Sequence, residues 1–310
     1  IIPFIILLTV VVFIHEYGHY YYAKKYGVGV TDFSIGFGKE IFGFNDKSGT
    51  RWKFCLIPLG GYVKFFGDRN VFSQAEQAEL LKKYSEEDQK KLFVVKPLYQ
   101  RSLIVAAGPF ANFLLAILIF AFIYMFAGKD FTPAQIQEVQ PDSPAYEVGI
   151  KSGDIIKSIN DKEVKSIMEV SAFINSSTSN IIDIGILRND NELNFSVEPK
   201  VIKSEDALGN KANKKIIGIK IAPLNEEINR QRLGPATALF YAIKETWFVI
   251  DASWNFIISM FKGTGDTTQL GGPIKIAKIT GQVAKLGFIA FLSIICLLYT
   301  SPSPRDNRTS

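Results

Sequence analysis

The chain has 310 residues, of which 47% are hydrophobic and 21% are charged, and its net charge is +5. Apolar residues fall in blocks with the charged residues between them, a pattern typical of a membrane protein with a water-exposed domain. No basic cluster alternates with aromatic residues, so nucleic-acid binding is not expected. Cys55 and Cys296 lie far apart, which indicates neither a disulfide framework nor a thiolate metal site.

The first apolar block, residues 1–22, predicts a transmembrane helix, because it is long enough to cross most of a bilayer core of about 30 Å. Tyrosines and lysines at its end are typical of a membrane interface. The chain starts without Met inside this block. A cleavable signal peptide would end in small residues, so we expect a transmembrane helix that is truncated at its N-terminus.

His15, Glu16 and His19 form the motif H-E-x-x-H near the end of this helix, and they include the two histidines of the sequence. On a helix, the motif places two imidazoles one turn apart with a carboxylate beside them, as two zinc ligands and a general base require. The motif can also arise by chance. Ionisable residues in a transmembrane segment are functional by default, so we expect His15 and His19 to bind Zn²⁺ and Glu16 to be catalytic.

Residues 27–68 change to a glycine-punctuated alternation, which predicts short strands over 50–57 and 61–66. Pro58 and Gly60–Gly61 are expected to make the turn between them. About 40 residues are marginal for an independent domain, so we expect a membrane-associated β region beside the first helix. Residues 70–97 are polar, and their helical pattern over 73–92 is expected to form an amphipathic helix on the membrane surface.

Residues 101–127 predict a second transmembrane helix, which contains Pro109 and Asn112. A polar amide in hydrocarbon should face protein. Asn112 is therefore expected to contact a substrate backbone or a catalytic intermediate, or else to make a hydrogen bond between helices. The residues alone leave these alternatives open.

Residues 129–222 predict an inserted β-rich domain, with a helix over 166–175 and strands near 181–187 and 193–197. Its run A-x-x-x-G-I-K-x-G-D-x-I-x-x-I-N, from Ala145 to Asn160, resembles bacterial PDZ domains. That resemblance implies the capture of an extended peptide or a chain terminus at a strand edge.

Residues 236–299 predict a third transmembrane helix, over 237–261, and an apolar stretch over 288–299 that is too short to span. The expected fold is a polytopic α-helical membrane protein with three full transmembrane helices, a partial fourth, a membrane-associated β region and one inserted PDZ domain. The expected divisions are a protease half over 1–127, the PDZ domain over 129–222, a membrane half over 236–299 and a tail over 300–310.

Loop charge predicts the orientation in the membrane. Residues 23–101 hold fourteen Lys and Arg against nine Asp and Glu, whereas residues 128–232 hold fourteen against sixteen. The positive-inside rule therefore puts the first loop in the cytoplasm and the PDZ domain outside.

The segments FIHEYGHYYYAKKYGV, FSIGFGK, IPLGGYVK, AAGPFANF and LGGPIKIAKITGQVAKLG together resemble the bacterial site-2 protease family, the intramembrane zinc metalloproteases of peptidase family M50. The resemblance implies that His15 and His19 bind zinc and that Glu16 is the catalytic base. It places Asn112 in the G-P-x-x-N pattern and Gly60 and Gly61 in membrane-dipping β elements, where we expect substrate contacts. It also implies cleavage of single-pass membrane proteins, such as anti-sigma factors, in regulated intramembrane proteolysis at the bacterial inner membrane.

The end of the sequence departs from the family. The third zinc ligand of the family is the aspartate of a Leu-Asp-Gly motif, and the sequence leaves the pattern at residues 295–296 without it. Asp306 has a different spacing and basic neighbours, so we do not expect it to bind zinc. Two alternatives remain. A membrane-anchored PDZ adaptor would bind no zinc, and a soluble zincin would be extracted without detergent.

Overall fold

The computed structural model describes residues 2–67, 83–177, 179–205, 211–223, 228–261 and 273–299. Its helices are α1 Ile2–Lys25, α2 Glu86–Gln89, α3 Leu98–Phe126, α4 Pro144–Glu147, α5 Ile167–Ser176, α6 Pro235–Phe261, α7 Pro273–Lys285 and α8 Phe288–Tyr299. Its strands are β1 Val30–Asn45, β2 Arg51–Phe65, β3 Lys129–Asp130, β4 Ala134–Val139, β5 Ile155–Ile159, β6 Lys162–Glu163, β7 Ile182–Arg188, β8 Asn191–Val197, β9 Lys200–Glu205, β10 Lys211–Ile216, β11 Ile219–Ala222 and β12 Arg230–Gln231. The first compact unit comprises residues 1–118 and 280–300, and the second comprises 119–279 and 301–310.

Among the described residues, α1 and α3 are the two helices long and apolar enough to cross a membrane. They correspond to the first two predicted spans. The third predicted span, α6, carries Lys244, Glu245 and Asp251 and does not meet the same test. Helix α8 has 12 residues, fewer than the roughly 20 that a span needs. The predicted count of three full helices and a partial fourth is not confirmed.

In the first unit, α1 and α3 approach closely because small residues face each other. A Cβ atom on Gly18 would overlap the carbonyl oxygen of Ala107 and lie 3.0 Å from Cβ of Ala111. Small residues at such an interface let the backbones of two apolar helices come together. The close approach brings the middle of α3 beside the H-E-x-x-H end of α1.

The β region consists of β1 paired with β2, and a tight turn joins the two strands at residues 46–50. Asp46 closes that turn, because its Oδ1 accepts hydrogen bonds from the backbone N–H groups of Ser48 (2.8 Å) and Thr50 (2.9 Å). Phe33 of β1 pairs with both Trp52 and Val63 of β2. The first half of β1 therefore lies between the two halves of β2.

The turn predicted at Pro58 and Gly60–Gly61 corresponds to a bend at which the chain reverses direction, although β2 extends through these residues as one strand. Residues 51–54 pair with 32–35 in parallel, whereas residues 61–65 pair with 30–35 in the antiparallel sense, so the two halves of β2 run in opposite directions on either side of β1. A second turn, at residues 46–50, was not predicted, and it forms because the Asp46 carboxylate accepts hydrogen bonds from the backbone two and four residues on.

The amphipathic helix predicted over 73–92 lies partly outside the described residues. Within residues 83–92, residue 83 is helical, residues 84–85 are not, and α2 follows with the Ser85 hydroxyl as its cap. A 3₁₀ turn over Phe93–Val95 comes next, and Lys96 is extended, with ψ 146°, because the following Pro97 disfavours helical geometry. The described part of the predicted helix is therefore interrupted at residues 84–85.

The second unit contains the β domain, in which the sheet order is β11-β4-β5-β7-β8 with β6 paired to β5. Its core consists mainly of isoleucines from the strands, including Ile136, Ile156 and Ile184, all fully buried. The predicted helix and strands of this domain are confirmed to within two residues by α5, β7 and β8. Asn189 and Asp190 join β7 to β8 with positive φ angles, the conformation of a two-residue hairpin turn.

Helix α6 presents its charged residues to neighbours within the second unit. Glu245 accepts hydrogen bonds from Lys129 Nζ (2.7 Å) and from the Tyr124 hydroxyl (2.8 Å). Asp251 pairs with Lys162 of the β domain at 2.5 Å. These ion pairs explain why α6 carries charges that an independent span would exclude.

Candidate metal centre

His15 and His19 bring their Nε2 atoms together on one face of α1. The two nitrogens are 3.2 Å apart and the ring planes make an angle of 82°. The i, i+4 spacing produces this arrangement, because residues four apart on an α-helix lie one above the other. Both side chains are half-buried.

The separation of the two nitrogens fits zinc. Two ligand nitrogens at 2.0–2.1 Å from a tetrahedral ion would be separated by about 3.3 Å. Gly108 of α3 faces the same space, since a Cβ atom there would overlap Nε2 of His19 and lie 2.7 Å from Nε2 of His15. Only a glycine leaves room beside both nitrogens. Neutral imidazole nitrogens are common zinc ligands, so these donors fit the ion chemically as well.

Helix α3 contacts the outer nitrogen of each histidine. His19 Nδ1 donates a hydrogen bond to the backbone carbonyl of Ile104 at 2.8 Å. Pro109 removes one helical hydrogen bond nearby, which loosens the α3 backbone in that region. The side-chain Nδ2 of Asn112 lies 3.3 Å from His15 Nδ1. Ligand histidines in zinc sites are commonly held by such outer partners.

Asn112 is only 8% exposed, and its Oδ1 has no hydrogen-bond partner. An unpaired buried carbonyl oxygen is rare and costly in a folded protein. The contact with His15 joins α3 to α1, as the interhelical alternative for Asn112 predicted. A contact between Asn112 and substrate stays a prediction.

Glu16 lies on the side of α1 that faces β2. The backbone of Val63 hydrogen-bonds its carboxyl group. A Cβ atom on Gly61 would lie 2.9 Å from Val12 Cγ1 and 3.4 Å from Glu16 Cγ. The absence of a side chain at Gly61 lets β2 pass this close to the carboxylate.

The predicted site residues are thus brought together unequally. His15 contacts both His19 and Asn112, whereas the described contacts of Glu16 are with β2 at Val63 and Gly61. Gly60 instead packs on Phe37, whose ring a Cβ atom at position 60 would overlap. Asp306 lies outside the described residues. In the part of the chain that the structure describes, no three His, Cys, Asp or Glu side chains form a cluster that could hold a metal.

Two contributors to the site were not predicted from the sequence: Gly108 and the carbonyl of Ile104. The segment AAGPFAN held a usable signal for Gly108, because Gly108 and Asn112 are four residues apart and share one face of a helix. A backbone carbonyl leaves no mark on the sequence, so the role of Ile104 could be seen only in three dimensions.

Comparison with known proteins connects this geometry to one family. The model of peptidase family M50 matches residues 3–301. A predicted zinc metalloprotease of Mesorhizobium japonicum is 40% identical over 301 residues, which are 96% of this chain and 81% of that protein. A zinc metalloprotease of the same description from Rickettsia conorii is 40% identical, and the match covers 98% of this chain and 84% of that protein. The metalloprotease MmpA of Caulobacter vibrioides is 30% identical over 91% of this chain and 72% of its own.

Solved structures similar to part of the chain include two PDZ domains. One, from an SdrC-like protein of Listeria monocytogenes, is 24% identical and covers 29% of this chain and 88% of its own, with a TM-score of 0.24. The other, from an SdrC-like protein of Listeria innocua, is 23% identical and covers 31% of this chain and 99% of its own, also with a TM-score of 0.24. A TM-score this low does not establish a shared fold.

Proposed function

The chain belongs to peptidase family M50, the membrane-embedded zinc metalloproteases of the site-2 protease type, and from this premise we propose that it cleaves peptide bonds within transmembrane segments. His15 and His19 bind the zinc ion through Nε2, and Glu16 is the general base. The observation that carries this proposal is the 3.2 Å separation of the two Nε2 atoms beside the glycine at position 108.

Zinc, when bound, acts as a Lewis acid that polarises a carbonyl and makes water nucleophilic near neutral pH. The remaining chemistry belongs to the side chains. Glu16 takes a proton from the attacking water at its carboxylate and delivers it to the nitrogen of the leaving amine. The Val63 backbone and the close passage of β2 orient the carboxyl group for both transfers.

A peptide bond within a transmembrane helix is shielded by its own backbone hydrogen bonds, so the substrate must unwind before it is cut. Strand β2 offers backbone groups next to Glu16, and we propose that an unwound substrate segment pairs there as an added strand. Gly60, Gly61 and Asn112 stay candidate substrate contacts. The proximity of Gly61 to Glu16 favours it over Gly60, which packs on Phe37.

The proposed substrates are single-pass membrane proteins, such as anti-sigma factors, that are cut in regulated intramembrane proteolysis. The proposed setting is the bacterial inner membrane, with the active site near the cytoplasmic side and the β domain in the periplasm. The basic excess of residues 23–101, fourteen Lys and Arg against nine Asp and Glu, supports this orientation.

The β domain is proposed to be a PDZ domain that binds a peptide or a chain terminus. Its sequence run from Ala145 to Asn160 supports this assignment. In the described part of its sheet, β11 and β8 are the outermost strands, and an outermost strand can accept a peptide through backbone hydrogen bonds.

The test is Glu16→Gln in the full chain, assayed on a single-pass model substrate in lipid vesicles. Removing a general base should lower the cleavage rate by about 10²- to 10⁴-fold and leave the zinc content unchanged. Glu138→Gln makes the same chemical change at an exposed position of β4 and should cleave as the wild type does. Undiminished cleavage by Glu16→Gln would overturn the proposal.

A further inference from the structure

We propose that the side-chain carbonyl of Asn112 accepts a hydrogen bond from Nδ1–H of His15 when zinc is bound, and so holds His15 in the tautomer whose Nε2 can bind the ion. Asn112 is then a positioning residue that acts through His15. This inference rests on the proposed function, because it takes His15 and His19 as zinc ligands.

His19 shows the arrangement that a zinc ligand needs. A carbonyl oxygen can only accept, so the 2.8 Å contact with Ile104 places the proton of His19 on Nδ1. A neutral imidazole carries one ring proton, and Nε2 of His19 is therefore the nitrogen that carries the lone pair. The backbone of α3 determines this tautomer.

His15 needs the same tautomer and faces a different partner. In the structure, the two Nε2 atoms lie at hydrogen-bond distance, 3.2 Å, and the lone pair of His19 accepts. The proton between them is then carried by Nε2 of His15. Nδ1 of His15 is left as an acceptor, which agrees with the 3.3 Å contact from the amide nitrogen Nδ2 of Asn112.

Zinc binding reverses these roles at His15. The ion needs the lone pair on Nε2, so the ring proton must move to Nδ1. An amide nitrogen cannot accept that proton's hydrogen bond, whereas an amide oxygen can. Turning the amide about its terminal torsion exchanges Oδ1 and Nδ2 at nearly the same positions.

The unpaired Oδ1 of Asn112 is the independent observation that supports this exchange. It is buried, and it makes no hydrogen bond in the structure. The exchanged amide gives this oxygen a donor, Nδ1–H of His15. The same α3 helix would then hold the outer nitrogen of both histidines, through the backbone of Ile104 and the side chain of Asn112.

Two substitutions separate an acceptor from a donor at position 112. Asn112→Leu removes both functions at similar volume, and loss of such an outer partner should weaken zinc binding by about 10- to 100-fold. Asn112→Asp keeps an acceptor and removes the amide donor, so it should retain the wild-type affinity. Asn255→Leu in α6 makes the same change at an asparagine that bonds Asp251 of its own helix, and it should have no effect.

The experiment measures zinc affinity by competition with a chromophoric chelator and records ¹⁵N spectra of the full chain labelled at histidine. The chain has only two histidines, so both rings can be followed. In the wild type, added zinc should convert His15 Nδ1 from an unprotonated to a protonated nitrogen. In Asn112→Leu, the hydrogen-bonded Nδ1–H signal of His15 should shift, while that of His19 stays in place.

The outcomes distinguish the inference from the function on which it rests. If zinc leaves both Nε2 signals of the wild type unchanged, the proposed zinc site is wrong. If zinc shifts both signals but Asn112→Leu keeps the wild-type affinity and His15 signal, the inference is wrong and the zinc site stands. Should Asn112→Leu fail to fold, Asn112→Asp decides alone, because a weakened affinity there would show that the amide acts as a donor.

Discussion

The two units of the molecule each contain a buried polar cluster, and the clusters differ in how completely their hydrogen bonds are made. In the β domain, Asp154 is 1% exposed and both of its oxygens are used, by Arg188 through Nε and a terminal nitrogen at 2.7 Å and by the Lys151 backbone at 2.8 Å. In the first unit, Asn112 keeps an unpaired oxygen and the two histidines direct Nε2 at each other.

The difference separates a structural cluster from one suited to a ligand. A buried charge whose hydrogen bonds are complete holds its surroundings in one arrangement, and removing one partner is costly. A cluster whose hydrogen-bonding groups are not all used can complete its hydrogen bonds when an ion binds. We therefore expect substitutions in the β-domain cluster to change stability, and substitutions at the histidine site to change zinc binding.

The largest expected effect follows loss of the Asp154 carboxylate. Asp154→Ala leaves Arg188 with an uncompensated charge, and we expect the free energy of unfolding of the β domain to fall by about 3–5 kcal/mol. Amide hydrogen exchange of β5 and β7 in the full chain measures this change. Glu192→Ala, which removes an exposed carboxylate of β8, is the control. Exchange equal to that of the control would contradict a structural role for Asp154.

A methyl group added at Gly108 is expected to weaken zinc binding at the histidine site. Gly108→Ala puts a Cβ atom into the space beside both Nε2 atoms, and overpacking of about 1–3 kcal/mol corresponds to zinc binding weaker by roughly 10- to 100-fold. Chelator competition measures it.

Gly281→Ala is the matched control, because this glycine of α7 has no atom within 4 Å of its added Cβ. It should bind zinc as the wild type does. Equal zinc affinity in Gly108→Ala would show that the ion does not occupy the space between the histidines.

The smallest expected effect concerns the helix cap at Ser143 in the β domain. The Ser143 hydroxyl accepts a hydrogen bond from the backbone N–H of Tyr146 and caps α4. Ser143→Ala should lower the free energy of unfolding by about 1 kcal/mol, seen as faster exchange of amides in α4, with zinc affinity unchanged. A loss as large as that of Asp154→Ala would mean that caps and buried ion pairs stabilise this domain equally.

The sequence predicted the parts of the molecule that depend on local spacing. The i, i+4 histidines, the strands of the β domain and the first two apolar helices all follow from residues close in the chain. The reversal of the β region at Pro58 and the adjacent glycines also follows from a local signal, whereas the turn at residues 46–50, which depends on hydrogen bonds to the Asp46 carboxylate, was not predicted. For α6, the two acidic residues are paired within the second unit, through contacts such as that of Glu245 with Lys129, which join residues distant in sequence.

At the candidate site, H-E-x-x-H predicts the roles of His15, Glu16 and His19, and these roles stay predictions. The polarity of Asn112 indicates a protein contact, and the structure shows one with His15. Which contact it makes depends on how α3 crosses α1 at Gly18, and no local pattern contains that crossing. Gly61 was expected to contact substrate, and its observed contact with α1 beside Glu16 arises from the bend in β2.

X-ray absorption at the zinc edge of the purified full chain tests the central claim most directly. Zinc held by His15 and His19 should show two imidazole nitrogens at about 2.0–2.1 Å, and His19→Ala should lose one of them. An unchanged spectrum in His19→Ala, or a wild-type spectrum without imidazole scattering, would contradict the assignment of these two histidines as zinc ligands.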